Sequence, residues 1–144
     1  MKDILEFSGE HRWLSNFWPA PVIMDGEEYP SVENAYQAAK VLPSMRKVFT
    51  TCAPGVAKKM GQPPNFRAPK WWHDRKVDIM RGLIAQKFAP GTELGEKLLA
   101  TGVVNIEEGN SWGDTFWGVC EGHGENHLGK LIMELRDELR RQRQ

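Results

Sequence analysis

The chain reads as an α+β domain, predominantly helical with a few short strands, and three observations predict this. Three segments carry helix-spaced apolar residues: Trp72–Phe88, Leu94–Leu99 and about Asn126–Arg141. Strand-like runs are few and short. An Asp25-Gly26 pair between Val22-Ile-Met24 and Glu27-Glu-Tyr29 predicts a tight hairpin. The 144 residues suit a single domain over 1–144 with one sizeable core.

Taken in order, Asp3–Ser8 has a strand-like pattern before a Gly9 turn. Arg12–Pro19 (Arg-Trp-Leu-Ser-Asn-Phe-Trp-Pro) is an aromatic loop with two small polar residues at its centre. The hairpin then delivers the chain to Pro30-Ser31, where Ser31 is placed to cap a helix running to about Leu42, before Pro43. Residues 45–49 predict a short helical turn. Ala53–Met60 predicts a helix with Pro in its first turn, and 61–69, with three of the nine prolines, a loop. Pro90-Gly91 ends the long helix that Trp71-Trp72 opens, and Gly102 closes the next. Val103–Ile106 is a buried-strand candidate. Residues 107–118 form a second polar and aromatic loop, and Gly122–Asn126 is a glycine turn leading into the last helix.

Composition limits the function. Nineteen basic and nineteen acidic residues cancel, which excludes a general polyanion binder and confines any nucleic-acid contact to a local patch. Cys52 and Cys120 are too few for a disulfide framework, so a reducing, cytoplasmic setting is expected. No apolar run reaches the ~20 residues of a membrane span, and no membrane partner is expected. Among the four histidines only His123 and His127 have a metal-ligand spacing, and they straddle a glycine turn and not one regular helix, so no metal site is predicted. Six tryptophans are many for packing alone, and tryptophan is a good stacking surface for bases and sugars.

The helix after the hairpin is the candidate wall of a site. Glu33, Gln37 and Lys40 fall at i, i+4 and i+7, on one face among small alanines. A carboxylate, an amide and an amine so placed serve proton transfer and imine chemistry, although a solvated polar stripe has the same spacing. Asp114 and Glu108 are further carboxylates set among aromatics and glycines. The Gly122–Asn126 turn, at a helix start, is a candidate phosphate site, and a plain turn explains its glycines equally.

Longer patterns then carry a resemblance. Leu14-Ser-Asn-Phe17, Gly26 and Tyr29-x-Ser-x-Glu33-x-x-x-Gln37-x-x-Lys40 resemble the opening of the NADAR (YbiA-like) family. So do Trp72-x-x-x-Lys76-x-x-x-Met80, Lys87-Phe88 and Leu98-Leu-Ala-Thr-Gly102. The end is similar in Glu108-Gly-Asn110-x-Trp-Gly-Asp114-x-Phe-Trp117-Gly118 and Gly124-x-Asn126-x-Leu-Gly129-x-x-x-Met133-x-x-Arg136. The chain departs from the pattern in its proline-rich 62–70 segment and at Cys120, where many members carry glycine.

The resemblance implies a YbiA-like, mostly helical fold and a cofactor-free N-glycosidase that hydrolyses the ribose C1–N bond. Its substrate would be a phosphorylated N-riboside of riboflavin biosynthesis or an ADP-ribose-containing molecule, including ADP-ribosylated guanine in DNA or RNA. Glu33 and Asp114 would be the working carboxylates. Asn16, Phe17, Trp72, Trp117 and Asn126 would line the pocket, joined by Tyr36, Gln37, Glu108, Gly118 and Gly124. By its own chemistry, and not by the resemblance, Lys40 is a candidate either for a covalent role or for simple pairing with a carboxylate or phosphate. A non-catalytic reader of ADP-ribose or nucleotides is the alternative.

Overall fold

In the computed structural model, which describes residues 1–144, the expected hairpin forms. Asp25 and Gly26 both have positive φ (51° and 79°), as a type I′ turn requires. They join β1 (Val22–Met24) to β2 (Glu27–Tyr29), antiparallel with Val22 opposite Tyr29. Val22 and Tyr29 are buried while Ile23 between them faces out, the alternation of a half-buried strand. The free edge of β1 is capped by a side chain: Gln86 accepts from the Ile23 N–H and donates to its carbonyl, both at 2.7 Å.

This hairpin belongs to a compact unit of residues 16–87. Within it, α1 (Val32–Ala38) is buried on every side, so its polar residues are interior groups and not a solvated stripe. Ser31 caps it, its Oγ accepting from the Asn34 N–H at 3.1 Å. Asn34 also reaches forward, donating to the carbonyls of Phe49 and Cys52 at 2.9 and 2.8 Å. The helix ends at Ala38, earlier than the expected Leu42. Lys40 and Val41 donate three residues back, to Gln37 and Ala38, and the Arg46 guanidinium takes the Ala38 and Val41 carbonyls. Lys40 therefore sits on a turn past the helix. Two 3₁₀ turns (Pro43–Met45 and Lys47–Thr50) lead to α2 (Pro54–Met60) and α3 (Trp72–Lys87), against both of which α1 packs.

The other unit combines residues 1–15 with 88–144. The expected strands at 3–8 and 103–106 reduce to one parallel bridge, Ile4 with Ile106. A 3₁₀ helix (Gly9–Leu14) takes the first half of the aromatic loop and buries Trp13 and Leu14. The rings of Trp13 and Phe88 meet edge to face at 6.2 Å. Thr92 caps α4 (Glu93–Ala100), accepting from the Gly95 N–H. A two-residue parallel pairing of β3 (Gly109–Asn110) with β4 (Val119–Cys120), invisible in the hydrophobic pattern, braces the loop before α5 (His127–Arg143). Leu128, Leu131, Ile132 and Leu139 form the buried stripe of α5. Arg136, also buried, donates to the Thr101 hydroxyl at 3.0 Å, just past α4. No helix is long and apolar enough to cross a membrane.

Candidate active site

Glu33 sits in the first turn of α1, its N–H held by the Asn16 carbonyl and only 7% of its surface exposed. One turn on, Gln37 donates its amide to Glu33 Oε2 at 2.6 Å, the i, i+4 pairing the sequence predicts. A buried carboxylate must be satisfied by donors, and this amide is one of them. Gln37 Oε1 has no hydrogen-bond partner and faces Gly61, where any Cβ would lie 2.1 Å from it. The glycine is thus needed for close approach and not for a turn.

Lys40 closes this group. Its Nζ donates to the Gly61 carbonyl at 3.0 Å and lies 5.2 Å and 5.7 Å from the ring centres of Tyr36 and Trp72. Burial pushes the Lys40 amine down to about 8; Glu33 opposes this and Lys76 adds to it. Tyr36 and Trp72 are 5.1 Å apart. Trp72 is 3% exposed, so it serves as a wall and not as an open stacking face. Asn16 donates to Met80 Sδ at 3.6 Å, while its Oδ1 has no partner. Residues 16–87 thus bring together Asn16, Glu33, Tyr36, Gln37, Lys40 and Trp72. Phe17 lines a groove of about 330 Å³ with Pro19, Pro30, Ser31 and residues 50–54.

The remaining predicted residues form a second group in the other unit. Asn126 is its hub: Oδ1 accepts from the Glu108 N–H at 3.0 Å and Nδ2 donates to the Ile106 carbonyl at 2.9 Å. Gly118 lies so close to Glu108 that a Cβ would meet its carbonyl at 2.1 Å and its carboxylate at 2.3 Å. Asp114 does turn-building work. Its Oδ1 accepts from the N–H groups of Phe116 and Trp117 at 3.2 and 2.9 Å. Trp117 meets Phe116 edge to face at 4.9 Å.

At the turn before α5 the donors at the helix start are engaged within the chain. The N–H groups of Glu125, Asn126, His127 and Leu128 donate to the carbonyls of Thr115, Gly118, Phe116 and Trp117. Those donors are not available to a phosphate. Gly124 (φ 150°) is explained by packing, since a Cβ there would meet the Gly118 carbonyl at 2.1 Å.

Three contributors lack an assignment from the sequence. The Gly61 carbonyl comes from a loop, and Lys76 acts on Lys40 through charge alone. Asn110 donates to Glu108 Oε1 and to the Asp114 carbonyl, and accepts from the Asp114 N–H. Lys76 and Asn110 both stand within the quoted motifs, which is the signal that could have found them. No three His, Cys, Asp or Glu side chains are grouped to hold a metal.

The fold is mostly helical, with a buried, amide-held glutamate on α1. Residues 6–140 match the model of the NADAR domain, and the chain belongs to that family. It is similar to the N-glycosidase YbiA of Escherichia coli K12, 34% identical over 135 residues that cover 92% of this chain and 84% of YbiA. The NMR structure of E. coli YbiA superposes with a TM-score of 0.83, covering 99% of this chain and 89% of that one at 33% identity. A riboflavin biosynthesis protein of Vibrio vulnificus is 35% identical over 132 residues. The match covers 90% of this chain, which spans only 36% of the Vibrio protein's length.

Proposed function

We propose that the chain cleaves the ribose C1–N bond of an N-riboside in which ribose carries phosphate or is part of ADP-ribose. The chain is a hydrolase acting on N-glycosyl bonds, as its relatives named N-glycosidases are. The finer reading concerns substrate and residues. Its candidates are a ribosylaminopyrimidine phosphate of riboflavin biosynthesis and an ADP-ribosylated guanine of DNA or RNA, handled in the cytoplasm.

The observation that carries the reading is the buried Glu33–Gln37 pair beside the Lys40 amine. Departure of the base or amine builds positive charge at C1, which the Glu33 carboxylate is set to stabilise. Asn16 Oδ1, an acceptor without a partner, suits a sugar hydroxyl or an amine. An amine that titrates at about 8 is neutral in roughly one molecule in ten at pH 7, which is enough for addition to an imine. The alternative to direct hydrolysis is covalent: the C1–O4 bond opens to leave an imine of the substrate's amine, the Lys40 nitrogen adds to C1, and the original amine leaves, taking up a proton. Water then hydrolyses the lysine imine, returning free sugar and free amine.

The test is mass spectrometry of amine or base release from both substrate classes. Glu33→Gln is expected to lower turnover at least ~10²-fold with the fold intact. Turnover near wild type in that variant overturns the assignment, and ligand binding without release from any N-riboside makes the protein a reader.

A further inference from the structure

We propose that the surface formed by Lys59, Arg67, Lys70, Trp71 and Arg75 binds single-stranded nucleic acid, with no modification of the strand required. Charge is the first argument. Residues 58–76 hold six Lys or Arg against one Asp, in a chain whose overall charge is zero. The cations at the other basic cluster, the end of α5, are neutralised: Arg140, Arg141 and Arg143 pair with Asp137, Glu138 and Glu96. Lys59, Arg67, Lys70 and Arg75 are exposed and enter no ion pair. Their charge is left for an outside anion.

The aromatic geometry is the second. Trp71, just before α3, is 45% exposed, so much of its ring is open to a ligand. Arg75 lies 5.8 Å from its centre, one turn on. A half-exposed indole with Arg75 near its ring and Lys70 next to it in the chain offers a stacking surface beside cations, as binding of bases along a phosphate backbone needs. The segment is also anchored. Asn65 donates to the Lys59 carbonyl at 3.0 Å, tying the proline-rich loop to α2. From Trp71 the rings continue inward, to Trp72 at 6.0 Å and then Tyr36 at 5.1 Å, beside Lys40. A strand held at Trp71 therefore lies at the outer end of the aromatic wall that Glu33 shares. An acidic protein would use the cations but not the exposed indole; an anionic lipid surface would use both, and the vesicle arm of the experiment separates it from a strand.

The experiment is fluorescence anisotropy of a labelled oligothymidine of about 12 nucleotides, titrated with the whole protein between about 50 and 200 mM salt. Binding is expected, with log affinity falling about 0.7 per log salt for each phosphate neutralised. Trp71→Ala should weaken it about tenfold and leave the salt slope in place, the scale of one lost stack. Arg67→Ala with Lys70→Ala should reduce the slope by about 1. Both positions are exposed, so unchanged circular dichroism is expected. Glu33→Gln should bind as wild type does, which separates this surface from the catalytic reading. Equal affinity in wild type and Trp71→Ala overturns the proposal. So does absence of binding at the lowest salt, or equal displacement by anionic vesicles and by unlabelled strand.

Discussion

Asp114, which the resemblance makes a working carboxylate, has one oxygen engaged in building a turn. A carboxylate that works on substrate needs its charge, whereas one that builds a turn needs only an acceptor oxygen. Asp114 Oδ1 accepts two backbone N–H groups, and an asparagine Oδ1 can do the same. We expect Asp114→Asn to keep most of the turnover and Asp114→Ala to lose it with the loop; kcat for both, beside thermal unfolding, is the measurement. A loss of ~10² or more in a stable Asp114→Asn protein would return Asp114 to proton transfer. Lys40 poses the complementary question. If it forms the imine, borohydride added during turnover fixes one substrate-derived sugar to the peptide holding Lys40, and Lys40→Arg is inactive. An active arginine variant without adduct leaves lysine as an electrostatic partner only.

At the scale of elements, what was legible is what is local. The hairpin follows from two residues able to take positive φ, and α1 begins where Ser31 offers a cap. The Glu33–Gln37 pairing follows from helical spacing. The end of α1 was not legible, because Arg46 draws its last carbonyls away from it. Nor was the β3–β4 pairing, two residues long and set by the turns of the 110–119 loop. The Gly61 carbonyl, which fixes Lys40, comes from 21 positions further on. Asp3–Ser8 reads as a strand by alternation, yet finds only one bridge there. The hairpin also carries an unspent group. Tyr29 is 1% exposed, its hydroxyl has no partner, and burial raises its pKa. Removing an unsatisfied buried hydroxyl is neutral or favourable, so Tyr29→Phe should leave stability within ~0.5 kcal/mol or raise it by up to ~1. Chemical denaturation measures this, and a loss above ~1.5 kcal/mol would show that the hydroxyl is bonded in solution.

For the whole molecule, the buried Lys87 ties stability to pH. Desolvation lowers its amine from 10.5 to about 7. Between those values the unfolded chain holds the proton that the folded chain has released, so Lys87's contribution grows more favourable as pH rises from about 7 towards 10.5. Below about 7 both states are protonated and the cost of the buried charge is fully in force. Lys40 acts in the same direction from about 8 upward. Urea unfolding of wild type and Lys87→Met at steps of pH should show the difference moving in favour of wild type as pH rises. A difference that stays flat would mean that Lys87 keeps its proton when folded.

The order of the chain has a consequence for its synthesis. Residues 16–87 are contiguous, whereas the other unit needs its first fifteen residues and everything after 87. Ile4 cannot meet Ile106 until about a hundred more residues have been made, which at ribosomal speed takes about 5–20 s. During that interval the nascent amino terminus is an unpaired tail while the Glu33 half already has all its parts. Ribosomes stalled once residue 87, but not yet residue 106, has left the exit tunnel should therefore carry a protease-sensitive segment before residue 16 beside a protected α1. The unit that holds Glu33 is fully synthesised before Ile4 can find Ile106.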